Sequence, residues 1–221
     1  MTSASRLRVR PATAGDAEAI CLIYNQGIED RVATLETEPR TPDERRRWLA
    51  ARSSRYPVIV AEPPTDETGM TEPHPAHSRP PSAQAGLAPA TTEPRPARSS
   101  PPSVHTGPAA TATIVAWGSL NPFGTREAYR FVADFSIYVE RGWRGQGVGG
   151  IVLTRLIELG REHGFHKVVL SAFPTNTGGM ALYRKLGFRT VGIYKEQGLL
   201  DGRWVDTIIM EKLLDGEPLA T

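Results

Sequence analysis

The chain has 221 residues, a near balance of 26 Lys and Arg against 24 Asp and Glu, and a single cysteine, Cys21. That balance carries no electrostatic footprint for nucleic acid or an anionic membrane, and one cysteine excludes an intrachain disulfide framework and any multi-cysteine metal site. No apolar run approaches the ~18 residues of a membrane span, and Met1 to Arg6 lacks the apolar core of a secretory signal, so a cytoplasmic protein without membrane contact is expected.

Leu7 and Val9 alternate with Arg8 and Arg10, which predicts a half-buried strand ending at Pro11. Thr13 with Asp16 reads as a helix start, and Ala19, Ile20, Ile23 and Tyr24 form an apolar stripe through to about Ile28. In that stripe Cys21 is expected to be a small core filler. A polar stretch, Asp30 to Arg40, leads to a second helix start at Thr41-Pro42-Asp43-Glu44. That helix carries Trp48 and Leu49, with Arg45, Arg46, Arg47 and Arg52 expected mostly on its wet side.

Tyr56 to Ala61 reads as a strand. Between Glu62 and Thr111 lie 12 of the 19 prolines, with almost no large apolar residues. Such a segment buries too little surface to offset its ordering entropy, so it is predicted to be a disordered insertion in a hairpin loop. His74, His77 and His105 fall inside it without cysteine or dense carboxylates, and no metal site is expected. The ordered core is expected at about 7–61 and 112–214, as one domain spanning 1–221.

Thr113 to Leu120 is the next predicted strand, and Asn121 to Thr125 a loop. Tyr129 to Val139 follows as a longer strand, with Phe131, Ala133, Phe135, Ile137 and Val139 on one face. Arg130, Asp134, Ser136 and Tyr138 take the other, which suggests a core on one side and a working surface on the other. This strand runs into Arg141-Gly142-Trp143-Arg144-Gly145-Gln146-Gly147-Val148-Gly149-Gly150, and a helix with Val148, Val152, Leu156 and Leu159 inward runs out of it. A glycine-dense turn that delivers free N–H groups at a helix N-terminus is suited to a phosphate-bearing ligand. The turn lacks the Gly-Lys-[Ser/Thr] ending of a nucleotide P-loop.

Gly164 stops that helix, and Lys167 to Ala172 is a strand. Asn176 to Phe188 contains a short helix closed by Gly187. Two closing strands, Arg189 to Lys195 and Trp204 to Lys212, flank an Asp201-Gly202 hairpin turn.

Arg144-Gly145-Gln146-Gly147-Val148-Gly149, followed by Asn176 and by Tyr183-Arg184-Lys185-Leu186-Gly187-Phe188, resembles the GCN5-related N-acetyltransferase (GNAT) superfamily in motif, order and spacing. Ile23-Tyr24-Asn25, Glu36 to Pro42 and Asp201 to Asp206 resemble its phosphinothricin and arsinothricin N-acetyltransferase branch. Asn121-Pro122-Phe123 and Arg126-Glu127-Ala128-Tyr129 sit where that branch keeps its substrate loop. The resemblance covers Leu7 to Leu214, without the Pro-rich insertion.

It implies an α/β (α+β) fold whose mixed central sheet splays between strands 4 and 5 beneath flanking helices, with acetyl-CoA in the opening and a homodimeric assembly. It implies that Arg144, Gly145, Gln146, Gly147, Val148, Gly149 and Gly150 wrap the CoA pyrophosphate. Ile137, Tyr138 and Val139 would offer main-chain groups to the pantetheine arm, and Asn176 a hydrogen bond to it. A Val139 N–H polarising the thioester carbonyl would contribute ~2.7–4 kcal/mol. Asp134 occupies the position of the branch's usual glutamate and would serve as base, its shorter side chain bringing a water into the proton route. Tyr183 occupies the superfamily's general-acid position, where close relatives can carry histidine. Arg126 and Arg130 are the expected oxyanion ligands, because a guanidinium fork matches carboxylate and phosphinate. Tyr24, Phe123 and Tyr129 are the expected walls.

The expected reaction is direct acetyl transfer, in a ternary complex, to the α-amino group of a small amino-acid analogue such as phosphinothricin, arsinothricin, or methionine sulfoximine or sulfone. Alternatives are acetylation of a protein N-terminus or a polyamine, or a non-catalytic acyl-CoA-binding module.

Overall fold

The computed structural model describes residues 7–63 and 114–214. The predicted disordered insertion, its three histidines and the outer limits of the expected core lie outside the described residues. The elements are β1 (Arg8–Pro11), α1 (Ala17–Glu29), α2 (Pro42–Ala50), β2 (Val58–Glu62), β3 (Ala116–Pro122), β4 (Val132–Val139), α3 (Val148–Glu162), β5 (Lys167–Ala172), α4 (Thr177–Lys185), β6 (Arg189–Leu200) and β7 (Arg203–Leu213). The seven strands form one mixed sheet in the order β1-β2-β3-β4-β5-β7-β6.

The parallel step is β4 to β5, joined through α3; every other strand pair is antiparallel. A parallel neighbour needs a crossover, and the inward stripe Val148, Val152, Leu156 and Leu159 lets α3 supply one while burying its apolar side on the sheet. With α4 it closes the larger core, which also takes Ala133, Phe135, Leu170 and Met210. On the opposite face, Ile20 and Ile23 of α1 pack with Val58, Val60, Ile114 and Trp117 in a second core. Cys21 is buried as expected and its Sγ donates to the Arg40 carbonyl at 3.0 Å.

The β4–β5 ladder is short. It joins Val132 to Lys167, Ala133 to Val168 and Asp134 to Val169, and ends there. Beyond it, β4 stays with β3 as far as Val139, whereas β5 stays with β7 as far as Ala172. The sheet therefore opens as a V with Asp134 at its vertex, which is the splay expected between the fourth and fifth strands.

Four local expectations need correction. Thr13 and Asp16 do cap a start, through the Thr13 N–H to Asp16 at 2.7 Å, but the first turn is a 3₁₀ turn and α1 proper begins at Ala17. β4 begins at Val132, because Glu127–Tyr129 forms a 3₁₀ turn, so Arg130 does not share a strand with Asp134. β6 continues past Lys195 to Leu200 through an irregularity at Tyr194–Gly198. Finally, Arg45 is buried: its guanidinium lies 4.0 Å from the Tyr24 ring centroid and 5.3 Å from that of Trp48, which shares its helical face at i+3. The predicted hairpin turn forms, with Asp201 and Gly202 both at positive φ, 49° and 75°.

Candidate active site

The glycine stretch leaves β4 through a 3₁₀ turn at Arg141–Trp143 and enters α3 at Gly147, whose φ is 87°. Gly145 has φ 74°. Side chains are disfavoured in this left-handed region, and a Cβ on Gly145 would project into open space. Gly147 has no capping side chain, so the first-turn N–H groups of α3 carry the helix dipole toward that space without a side-chain acceptor.

The pattern of the β3–β4 ladder settles which main-chain groups face the opening. Glu140 N–H donates to the Val115 carbonyl at 2.9 Å, and Ala116 stands opposite Val139. Pairs then alternate, so Tyr138 spends its N–H and C=O on Trp117, while Ile137 and Val139 turn theirs away from β3 into the V. Of the three residues expected to offer main-chain groups, Ile137 has both available and Val139 its N–H, the Val139 carbonyl being taken by Arg144 Nε. Tyr138 has neither; it contributes its side chain.

A cavity of about 360 Å³ fills this side of the V, lined by Ile137, Tyr138, Val139, Arg144, Gly145, Gly147, Gly149, Gly150, Asn176 and Tyr183 among others. A second, of about 250 Å³, adjoins it through Ile137, Tyr138, Asn176 and Tyr183 and reaches Asp134, Ser136, Ser171 and Thr207. The vertex carboxylate and the α4 tyrosine thus share one cavity that opens onto the glycine loop.

Three of the expected side chains have defined partners. Arg144 pairs with Asp30 and donates its Nε to the Val139 carbonyl at 3.0 Å. Asp30 also binds Arg141, and the two arginines hold its carboxyl below the usual range, Arg141 foremost. Gln146 donates to the Gly142 carbonyl at 2.6 Å. The Asp30 contacts strap the loop to the C-terminal end of α1, and together these contacts engage the Arg144 and Gln146 side chains. Asn176 caps α4, its Oδ1 accepting from Gly179 N–H at 2.9 Å; its amide N–H₂ is the part left for a ligand.

Burial pushes the Asp134 carboxyl up to about 6, with the Asn121 amide opposing. Burial likewise pushes the Tyr183 phenol up to about 12, so it is neutral at ordinary pH. The Tyr183 ring sits between Phe135 and Phe188, at 6.0 and 6.1 Å.

The expected oxyanion ligands are elsewhere. Arg126 and Arg130 are exposed outside both cavities, and Arg130 pairs with Glu127 at 3.3 Å and stacks over Phe131. Phe123 and Tyr129 pack edge-on against each other in the same outer loop, 5.1 Å apart. Tyr24 lies behind the cavity wall, 4.9 Å from the Tyr138 ring.

Sequence reasoning missed the roof. Ala33, Thr34 and Leu35 cover the smaller cavity, although Asp30 to Arg40 reads as a polar connector. Arg31 ties this segment to Asp201 at the β6–β7 turn (2.9 and 3.1 Å), and Leu35 packs on Gly198. The eleven-residue length and the charges at 31 and 36 were the available signals, but their partners lie across the chain. Thr207, whose buried hydroxyl has no hydrogen-bond partner among the described residues, was also missed.

A family model described as "Acetyltransferase (GNAT) family" matches residues 74–188. The chain belongs to the GNAT acetyltransferase family. The enzyme is 24% identical over 214 residues to the phosphinothricin N-acetyltransferase of Streptomyces coelicolor, spanning 97% of this chain and 100% of that protein. It is 27% identical over 208 residues to an L-methionine sulfoximine/L-methionine sulfone acetyltransferase of Pseudomonas paraeruginosa, spanning 94% of each. Among solved structures it superposes on the GNAT phosphinothricin acetyltransferase of Sinorhizobium meliloti, crystallised with acetyl-CoA. That match has a TM-score of 0.71 at 26% identity and covers 98% of this chain and 92% of the other.

Proposed function

We propose that the enzyme transfers acetyl from acetyl-CoA to the α-amino group of a small amino-acid analogue, of the phosphinothricin, arsinothricin or methionine sulfoximine type, as a detoxification activity. The observation that carries this reading is Asp134, a carboxylate with a raised pKa at the vertex of the V, sharing one cavity with the neutral phenol of Tyr183.

The residues present suit the donor. The glycine loop offers main-chain N–H groups without side-chain obstruction, and Ile137 turns its main-chain groups and Val139 its N–H into the V. When bound, acetyl-CoA supplies a thioester carbonyl for attack and a thiolate as leaving group. Asp134 would receive the proton that the amine gives up, through a water where the aspartate falls short of the reach of glutamate. Tyr183 would give its phenolic proton to the departing sulfur. The Val139 N–H would hold the carbonyl oxygen as negative charge grows on it. No cysteine lies near the loop, which favours direct transfer over an acetyl-enzyme.

A second copy of the chain is the expected partner. Val191, Ile193, Tyr194 and Leu199 of the edge strand β6 and Trp204 of β7 are exposed, an apolar surface that a homodimer would cover.

The reading is tested by thiol release from acetyl-CoA across methionine sulfoximine, phosphinothricin, a polyamine and an N-terminal peptide. Release that depends on the amino-acid analogues supports it. Release with only the polyamine or the peptide would overturn the acceptor class.

A further inference from the structure

Asn121 stands directly opposite Asp134 in the β3–β4 ladder, so the two side chains leave the sheet on the same face. The Asn121 amide is held from both ends. Its Oδ1 accepts from Arg52 Nη1 and from Ser119 Oγ, each at 3.1 Å, and its Nδ2 donates to Ser136 Oγ at 3.2 Å. Ser136 lies two residues beyond Asp134, on the same face and in the same cavity.

Arg52 lies just beyond α2, and its guanidinium is committed on three sides. Nε donates to the Tyr56 carbonyl at 3.1 Å, Nη2 to the Leu120 carbonyl, and Nη1 to Asn121. The Trp48 ring lies 5.1 Å from its centre. Among the described residues it has no carboxylate partner, and burial lowers its pKa. A half-buried arginine without a counter-ion that spends a donor on an amide oxygen is an expensive way to close a turn. What it does accomplish is to fix the orientation of that amide. With the amide flipped, its N–H₂ would face the Arg52 N–H and the carbonyl would face Asp134, setting donor against donor and acceptor against carboxylate.

We propose that Arg52 is a positioning residue: by holding the Asn121 amide oxygen, it presents the amide N–H₂ to the Asp134 carboxylate. One N–H serves Ser136, and the second remains for Asp134. A donor of this kind favours the ionised carboxylate and counteracts the burial that disfavours it. Of the other charged groups on this side of the sheet, Lys167 on β5 and Glu211 on β7 pair at 2.9 Å, Arg189 joins Glu211, and Arg45 of α2 is buried over the Tyr24 and Trp48 rings. The titratable cavity walls, Tyr138 and Tyr183, are both kept neutral by burial. Arg130, at the head of β4, is paired with Glu127. The Arg52–Asn121 arm is therefore the adjustable influence on the base. Its catalytic meaning rests on the reading of Asp134 as that base.

The test is a carbon-13 carboxyl NMR titration of the full chain, with the Asp134 resonance assigned by its loss in Asp134→Asn. Asn121→Ala and Arg52→Met should each raise the Asp134 midpoint by about one pH unit, and Arg52→Lys, which retains one donor, should recover part of the shift. An unmoved midpoint in a folded Asn121→Ala protein would overturn the proposal, and that variant decides the matter if Arg52→Met fails to fold. In a parallel series with methionine sulfoximine as acceptor, the acid limb of kcat should move with the NMR midpoint. If the limb survives in Asp134→Asn, the reading of Asp134 as base fails, whereas the NMR arm still judges the positioning of the carboxylate.

Discussion

Asp134 stands opposite Val169 on the last rung that joins β4 to β5. One residue further on, the strands have parted. The carboxylate is therefore held by a continuous ladder on its N-terminal side and faces open cavity on the other. Burial there raises its pKa to about 6. As a base it is competent only when ionised, so kcat should fall as pH drops through about 6 and level off above it. Asp134→Asn should abolish that limb and lower kcat by roughly 10²–10⁴, with little change in KM for acetyl-CoA. Steady-state kinetics from pH 5 to 8.5 on both proteins would decide; an unchanged kcat in the variant would remove Asp134 from the chemistry.

The same group makes a stability prediction of opposite sign to the usual carboxylate. Its folded pKa lies above its ordinary value of 3.8, so the folded state binds the proton more tightly than the unfolded chain. Stability contributed by this site is therefore lost as pH rises from about 4 through about 6. Removing the charge should restore it, by at most ~3 kcal/mol for about two pH units. Urea unfolding should find Asp134→Asn more stable than wild type at pH 7.5, with the gap fading toward pH 4. A variant less stable at pH 7.5 would show that the carboxylate is held by favourable contacts.

Much of this architecture was legible in the sequence because it is local. Alternation in Phe131 to Val139 assigned Asp134 to the face opposite the core. The glycine run announced the loop, and Asp201-Gly202 announced the hairpin. What escaped depends on contacts distant in sequence. Arg45 was expected in water because charge dominates any reading of Arg45-Arg46-Arg47, yet it occupies the i−3 position to Trp48, where the ring of Tyr24 on α1 receives it. Nothing in Ala33-Thr34-Leu35 shows that it roofs a cavity, because the anchors, Asp201 and Gly198, lie more than 150 residues away. Arg126 was placed by resemblance in a substrate loop and Arg130 on the strand face of Asp134, but an outer 3₁₀ turn ahead of β4 holds Arg130 against Glu127 and Phe131 instead.

Tyr183 offers a separate test of the acid half of the reaction. It is buried between Phe135 and Phe188, so the phenol stays protonated across the working pH range and its proton is available to a departing thiolate. Tyr183→Phe keeps the ring and its packing while removing only the hydroxyl. Turnover should fall by about 10², with thermal stability close to wild type. A better leaving thiol in the acyl donor should narrow the difference between the two proteins, because it needs less help from an acid. If a loss of rate came with equal sensitivity to thiol acidity in both proteins, Tyr183 would be a packing residue.

The strap between Asp30 and the two arginines gives the last prediction. Asp30 binds Arg141 at 2.7 Å and also Arg144, while Arg144 reaches back to the Val139 carbonyl. These contacts fix the loop on α1 without using its main-chain donors. Exposed ion pairs contribute little to global stability, commonly under ~1 kcal/mol, so Asp30→Ala should leave thermal unfolding almost unchanged. The effect should instead be local, because a loosened loop must be ordered again before its N–H groups converge. KM for acetyl-CoA should rise several-fold while kcat at saturation holds. Gly147→Val attacks the same loop differently, by placing a β-branched residue at φ 87°, and should raise that KM further with some loss of stability. Measured side by side, the two variants separate the roles: an unchanged KM in Asp30→Ala with a raised one in Gly147→Val would mean that backbone geometry alone holds the loop, and that the strap is incidental.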